Sequence, residues 1–340
     1  MQAFCGAKPV LASNLLKKAY QLNPNEPGLL VNLGLTMMQR GLDKSAAYCY
    51  KLALQSSNPV VLGSANKNLG LLRLWQGNWK EGWYHYLKRY EAKPFAANEW
   101  RGESLNGQIL TVWNDLGMGD AFNFVRYTKQ LIDHGIKFRL AVHASQIDIF
   151  KHYLAWPIID VCDRDNLDLT AGPQIPLIHL LPLLDPSLNW GLNYSETSFS
   201  FNKPNNPKAL GLCWASNPAD PTMAPYKSSS PEHLIQITEL INKGETTTTL
   251  LSLQTNEAEA HRRLGLDAPP HNWVNTLELI NSCRQVFSVD TAVVHLAAGC
   301  GIPVQMLLAP QADWRWRHGG KHPWYPSLTL LPAALAAPKA

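Results

Sequence analysis

No apolar run in this 340-residue chain reaches the roughly 18 to 20 residues that a membrane-spanning helix needs. The opening residues, Met1-Gln2-Ala3-Phe4-Cys5, lack the charged-then-apolar order of a secretory leader, so a cytoplasmic setting is the expectation, with attachment at the inner-membrane face compatible with it. The six cysteines, Cys5, Cys49, Cys162, Cys213, Cys283 and Cys300, contain no C-x-x-C pair. Neither a disulfide framework nor a thiolate metal site is expected from them, and they read as small core residues. Long Lys/Arg runs are also missing, and the formal net charge of +4 is spread along the chain, which argues against a nucleic-acid partner.

Apolar and aromatic material is plentiful. Hydrophobic residues make up 46% of the chain and twelve residues are tryptophan, enough for two or three domains with real cores. An internal repeat governs the first part: Asn32-Leu33-Gly34 returns as Asn68-Leu69-Gly70, Gly41 as Gly77, Ala46 as Gly82 and Tyr50 as Tyr86, a constant offset of 36. A period near about 34, with small residues, a turn glycine, an aromatic and a closing proline (Pro24, Pro59, Pro94), resembles tetratricopeptide repeats. The small residues let antiparallel helices approach, and Tyr50 and Tyr86 fill the gap between hairpins. Residues 8–24 read as the second helix of an incomplete earlier repeat, and the helical block is expected over 1–95.

After a connector from Pro94 to Gly107 the texture changes to short apolar strands alternating with helical segments, the α/β pattern. Strands are expected over 109–113 and 138–143, helices over 121–134 and 146–156, and a Pro-rich region follows over 172–186. The polar stretch 194–207 is the candidate boundary. Beyond it, strands are expected over 209–214, 248–253, 285–289 and 304–308, with helices over 231–242 and 275–282. Two Rossmann-like halves, 107–205 and 206–335, are therefore expected to face each other across a cleft, with ligands at the carboxyl ends of the strands.

The strongest single signal follows the 285–289 strand. Asp290 or Thr291 caps the next helix, whose free N–H groups and positive dipole end suit a phosphate, and Gly301 and Pro303 close it. His295 lies one turn in, on the face of Thr291, either as a ligand contact or as a buried, hydrogen-bonded histidine. In Gly117-Met118-Gly119-Asp120 two glycines permit close approach to a phosphate or an acceptor, and no third glycine completes a dinucleotide fingerprint. Asp120 reads either as a general base facing the cleft or as a plain helix cap. Ser216 and Asn217 could donate hydrogen bonds to a phosphate or sugar, and Gln254 belongs to the same rim. Lys227 reads as a point charge for phosphate or as a surface lysine.

Asp163-Arg164-Asp165 has the form of a metal-binding D-x-D, but no other ligand lies near it in sequence, which favours a solvated turn and no metal. The aromatic and basic tail, Trp314-Arg315-Trp316-Arg317 and then His322-Pro323-Trp324-Tyr325-Pro326, suits sugar stacking on Trp or diphosphate binding by Arg, or else packing of the tail across both domains.

With these pieces in order, the chain resembles tetratricopeptide-fused sugar transferases related to the ADP-heptose lipopolysaccharide heptosyltransferases of glycosyltransferase family nine. The residues that carry the resemblance are Trp100-Arg101-Gly102-Glu103-Ser104-Leu105-Asn106-Gly107, Gly117-Met118-Gly119-Asp120, Phe124-Val125-Arg126-Tyr127, Ser252-Leu253-Gln254, Ser288-Val289-Asp290-Thr291 with His295-Leu296-Ala297, and Asp313-Trp314-Arg315-Trp316. The resemblance implies a GT-B fold, a nucleotide-diphosphate sugar held mainly by the C-terminal half, and inverting transfer to a glycan or lipid-linked hydroxyl with no metal and no cofactor. It implies that Asp120 is the catalytic aspartate, that Lys227 contacts donor phosphate and that Asp290-Thr291 is the donor-binding turn. The chain departs from the pattern after Asp120, where relatives often have Thr and this sequence has Ala121-Phe122-Asn123. Two other readings remain open: a degenerate transferase whose repeats serve as a protein-interaction scaffold, and a protein O-glycosyltransferase that uses the repeats to recognise its acceptor.

Overall fold

The structure, a computed structural model, describes residues 9–185, 197–200, 207–217, 224–242, 249–270, 272–309, 312–316 and 324–332. The chain divides into two compact units, Met1–Ala97 with Ala219–Tyr226 and Gln311–Gly319, and Asn98–Pro218 with Lys227–Pro310 and Gly320–Ala340.

Among the described residues the N-terminal part of the first unit is built of α1 (Pro9–Leu22), α2 (Gly28–Gln39), α3 (Asp43–Ala53), α4 (Pro59–Trp75) and α5 (Trp79–Leu87). Asparagines open two of them. The Asn58 side chain accepts from the Val60 N–H at 2.9 Å ahead of Pro59, and Asn78 Oδ1 accepts from the Glu81 N–H at 3.3 Å. The repeated glycines do two jobs. Gly41 and Gly77 turn the chain at φ +70° and +77°, a conformation that costs a residue with a Cβ. Gly34 and Gly70 instead admit the next helix: a Cβ on Gly34 would lie 2.4 Å from Tyr50 Cε1, and one on Gly70 would lie 2.6 Å from the Tyr86 backbone nitrogen.

That difference makes a prediction. A tyrosine ring can swing, whereas helix backbone cannot, so Gly70→Ala should destabilise the chain by about 1 to 3 kcal/mol and Gly34→Ala by less. Urea melts of the two variants check the order.

The Trp314 ring meets Trp79 and Trp83 edge-on, at centroid distances of 5.9 and 5.6 Å, within this unit. Arg315 pairs with Asp313 at 2.7 Å and covers the Trp314 ring. For these residues the packing alternative describes the structure. Arg317, His322 and Pro323 lie outside the described residues.

The second unit is α/β with two parallel sheets. The first has the order β3-β2-β1-β4, with β1 (Leu110–Trp113), β2 (Phe138–Val142), β3 (Asp160–Asp163) and β4 (Gln174–Pro176). Leu110 pairs with Phe138 and Val112 with Ile175, and every residue of β1 is buried, as a strand covered on both faces requires. Around it run α6 (Met118–Phe124), α7 (Thr128–Asp133), α8 (Ile147–Tyr153) and α9 (Leu180–Leu184).

The second sheet has the order β6-β5-β7-β8-β9, with β5 (Ala209–Cys213), β6 (Leu250–Ser252), β7 (Cys283–Val289), β8 (Val304–Leu307) and β9 (Leu328–Leu331). After the short α10 (Ala224–Lys227), of which only Lys227 belongs to this unit, its helices among the described residues are α11 (Pro231–Ile241), α12 (Ala258–Leu264), α13 (Trp273–Asn281) and α14 (Ala292–Gly299). Gly211 in β5 is required by close approach, since a Cβ there would lie 2.7 Å from Leu253 Cδ1.

Several expected elements are corrected. The single helix expected over 121–134 is two helices joined by a 3-10 turn, Val125–Tyr127. Thr128 Oγ1 donates to the Val125 carbonyl at 2.7 Å and Arg126 Nε to the Asn123 carbonyl at 2.8 Å, so side chains compete for carbonyls that a continuous helix would use. The first of these helices starts at Met118, which puts Gly119 and Asp120 inside its opening turn and not ahead of it. The helix expected over 146–156 ends at Tyr153, where Leu154 turns extended at ψ 135°. Strands β3, β4 and β9 were not expected; each has only three or four residues. Within the stretch 194–207, Phe199 is buried against Phe122 and Phe150. Among the described residues no helix is long and apolar enough to cross a membrane.

Candidate functional site

Parallel strands bring their carboxyl ends to one edge of a sheet. Loops leaving β5, β6 and β7 of the second sheet meet there, and the loop leaving β1 of the first sheet approaches them. Between them lies a cleft of about 270 Å³. Met118 and Ser145 line it from the first half. Cys213, Ala215, Ser216, Asn217, Leu253, Gln254, Thr255, Asn256, Asn272, Trp273, Thr276, Thr291, Ala292 and Val293 line it from the second.

The glycine loop is held from within. Asn114 Nδ2 donates to the Leu116 and Gly117 carbonyls at 3.1 and 3.0 Å, and Asp120 Oδ2 accepts the Gly117 N–H at 3.0 Å. Asp120 thus caps the N-terminal N–H of its own helix, with no return bond because Gly117 has no side chain, and it is half-buried beside the cleft and not among its lining residues. Gly119 touches the second half directly. A Cβ on it would lie 2.9 Å from His295 Cδ2 and 3.2 Å from Ala292 Cα, so only glycine lets the first turn of α6 reach the first turn of α14.

At that second turn, Thr291 occupies the N-cap position of α14 without making a side-chain cap. Its hydroxyl points back to Ser288 Oγ at 3.2 Å and Cys213 Sγ at 3.7 Å. The leading N–H groups of α14 are thus not taken by Thr291, and their positive potential faces the cleft. Asp290, with a side chain only 9% exposed, forms an ion pair with Lys227 at 2.8 Å. The two expected donor contacts hold each other next to the cleft.

Gln254 is buried and braces the rim. Its Oε1 accepts the Ala215 N–H at 2.9 Å and faces Cys213 Sγ at 3.4 Å. Burial pushes the Cys213 thiol up to about 11, so it is a neutral wall of the cleft at physiological pH and no nucleophile. The Ser216 N–H donates to Ser228 Oγ at 3.0 Å, and Asn217 is exposed at the mouth.

His295 follows its buried alternative. Its Nδ1 lies 3.0 Å from Tyr325 Oη, which donates to Asn123 Oδ1 at 2.9 Å, so the three side chains form one buried chain of bonds. Arg126 donates to the Trp324 carbonyl and sits over the Tyr325 ring at 4.4 Å, while Trp324 Nε1 donates to Tyr127 Oη at 2.9 Å. Trp324 and Tyr325 therefore tie α6 to α14 by packing.

The D-x-D segment is a turn. Asp163 accepts from the Asp165 N–H at 3.1 Å and from Asn166 Nδ2 at 3.0 Å. Among the described residues no group of three or more His, Cys, Asp or Glu side chains could hold a metal ion.

Sequence reasoning missed Trp273 and Asn272. Asn272 Oδ1 caps α13 by accepting the Asn275 N–H at 2.7 Å, and Trp273, the first helical residue, lines the cleft and meets the Phe122 ring edge-on at a centroid distance of 4.9 Å. The signal was the asparagine ahead of an amphipathic run; starting that helix at 275 hid the tryptophan.

No family model matches the sequence, and no curated protein matches it. Among solved structures, E. coli heptosyltransferase WaaC with ADP is similar at 13% identity and TM-score 0.46, over 66% of this chain and 93% of that one. The iron-containing dodecameric glycosyltransferase TibC from enterotoxigenic E. coli is similar at 10% identity and TM-score 0.44, over 65% of this chain and 63% of that one. E. coli ADP-heptose lps heptosyltransferase II is similar at 12% identity and TM-score 0.40, over 66% of this chain and 90% of that one.

Proposed function

We propose that this chain is an inverting, metal-independent glycosyltransferase of the GT-B type that binds a nucleotide-diphosphate sugar in the cleft and transfers the sugar to a hydroxyl acceptor. The observation that carries the reading is the meeting of two helix starts at one cleft: the turn bearing Asp120 and the turn after Thr291, in contact through Gly119. One supplies a carboxylate and the other a positive dipole end. In this reading Asp120 takes the proton of an acceptor hydroxyl, whose oxygen bonds to the anomeric carbon as the bond to the diphosphate breaks. The electron pair leaves with the diphosphate, and its new charge falls to the first turn of α14, Lys227 and Ser216. Asn217, Gln254, Asp290 and His295 complete the donor side, the last two by supporting groups that reach the ligand. Gly117, Met118 and Gly119 form the wall against acceptor and phosphate. The helical unit is a tetratricopeptide-like module for a protein partner, the acceptor is a glycan or lipid-linked hydroxyl, and the setting is cytoplasmic.

Thermal-shift and calorimetric titration with ADP, UDP and GDP tests the reading. At a ligand concentration about 100 times Kd, stabilisation of about 2.7 kcal/mol is expected, a rise of several degrees. Absence of binding by all three rejects it. The competing reading, a degenerate transferase serving as a scaffold, is favoured by the capping contact of Asp120, and its signature is nucleotide binding with no sugar turnover from any donor.

A further inference from the structure

We propose that Arg164 is a positioning residue for the loop that carries Asp120, so that the Asp163-Arg164-Asp165 segment serves the site through its arginine and not through its carboxylates. The inference rests on the proposed transferase reading for its catalytic consequence and on geometry for the rest. Arg164 sits in the turn after β3, at the carboxyl edge of the first sheet, two strands away from β1 in the order β3-β2-β1. From there its Nη1 crosses β2 and donates to two carbonyls of the glycine loop, Asn114 at 2.8 Å and Leu116 at 2.6 Å. Leu116 also accepts from Asn114 Nδ2, so one peptide oxygen is held from two sides just ahead of Gly117.

The carboxylates of the segment act locally. Asp163 closes its own turn through the Asp165 N–H and Asn166 Nδ2, and Asp165 lies 3.6 Å from Arg164 Nε. Asp163 fixes the base from which the arginine reaches, and the exposed Asp165 carboxylate lies at its edge. The guanidinium side chain is 25% exposed, so its bonds are charge-assisted and largely shielded from water on the loop side. A planar, preorganised donor meets two carbonyls in fixed positions, which a flexible ammonium does less well. With those carbonyls drawn toward the guanidinium, the Gly117 N–H is set to meet Asp120 Oδ2 at 3.0 Å, and Met118 is set as the cleft wall. The donor-side residues belong to the second sheet and do not touch Arg164.

Arg164→Met should therefore lower kcat by about 10- to 100-fold, read as nucleoside diphosphate released from a panel of ADP-, UDP- and GDP-sugars. Its Kd for nucleoside diphosphate should stay within about twofold. Hydrogen exchange at residues 116–121 should quicken while residues 291–298 exchange as in the parent. Arg164→Lys should recover part of the loss, and millimolar guanidinium should restore part of the activity of Arg164→Ala. Asp165→Asn should retain turnover, with no response to Mn²⁺. Turnover and loop exchange unchanged in Arg164→Met would overturn the proposal, as would an equal fall in kcat and nucleotide affinity. Activity lost in Asp165→Asn and regained with excess Mn²⁺ would overturn it in favour of a metal-binding D-x-D. If the parent protein binds none of the nucleotides, the transferase reading itself fails. Failure of the Arg164 inference alone is a parent that binds and turns over alongside an Arg164→Met variant that matches it.

Discussion

Asp120→Asn is expected to cut turnover by about 10² to 10⁴ while leaving nucleoside diphosphate affinity within about twofold. The substitution separates the capping contact of Asp120 from its proposed role as a base. An asparagine oxygen can still accept the Gly117 N–H that Asp120 Oδ2 accepts at 3.0 Å, so the opening turn of α6 survives. The amide cannot take a proton from an acceptor hydroxyl. If capping were the only role, Asp120→Asn would turn over normally, and Asp120→Ala would merely lose about 1 kcal/mol of stability. If Asp120 is the base, the two variants share the loss of turnover and differ in melting temperature. Initial rates with a saturating donor, beside thermal melts of both variants, separate the cases.

The helical repeat and the alternation of strands and helices were legible because each is written in local spacing. The 36-residue offset recorded where helices touch, and Gly34 against Tyr50 and Gly70 against Tyr86 are those contacts. Of the expected site residues, Met118, Ser216, Asn217, Gln254 and Thr291 gather in the cleft. Asp120 stands beside it, held by Gly117 in its own turn, as do Lys227, Asp290 and His295, held by partners distant in sequence. Tyr325 holds His295 from 30 residues away, and Lys227, in the segment after β5, reaches Asp290 at the end of β7. Spacing along one element cannot report such pairings. The same limit hid Arg164, whose carbonyl partners lie 50 and 48 residues earlier. It hid Trp273 for a different reason: a helix start misplaced by two residues moves a side chain from the cleft to an unassigned loop.

The Lys227–Asp290 pair leads to the other large expected effect, and its sign has to be argued. A diphosphate that gains Lys227 also comes near the carboxylate 2.8 Å behind it. Lys227→Met removes a charge-assisted contact of about 1.5 to 3 kcal/mol, a loss of roughly 10- to 100-fold in nucleoside diphosphate affinity. It also removes the cation that pairs with the mostly buried Asp290. Asp290→Asn has two opposed consequences. Repulsion between the carboxylate and a phosphate charge at about 6 Å, with an effective dielectric near 20, amounts to about 3 kcal/mol, and the substitution abolishes it. Freeing the lysine to explore its rotamers costs up to about 2 kcal/mol. Repulsion is the larger, so Asp290→Asn should tighten nucleoside diphosphate binding by roughly fivefold, and the double variant should recover part of what Lys227→Met loses. The diphosphate product carries more negative charge than the nucleotide sugar, so the tightening should be greater for product than for donor. Tighter binding by Asp290→Asn would give Asp290 a second role beside its support of Lys227, that of a counter-charge that speeds release of the spent nucleotide. Calorimetry on the four proteins of this cycle, with ADP, UDP and GDP, decides it: weaker binding by Asp290→Asn would mean that the aspartate serves the ligand by tethering Lys227, and that repulsion of the product is not its role.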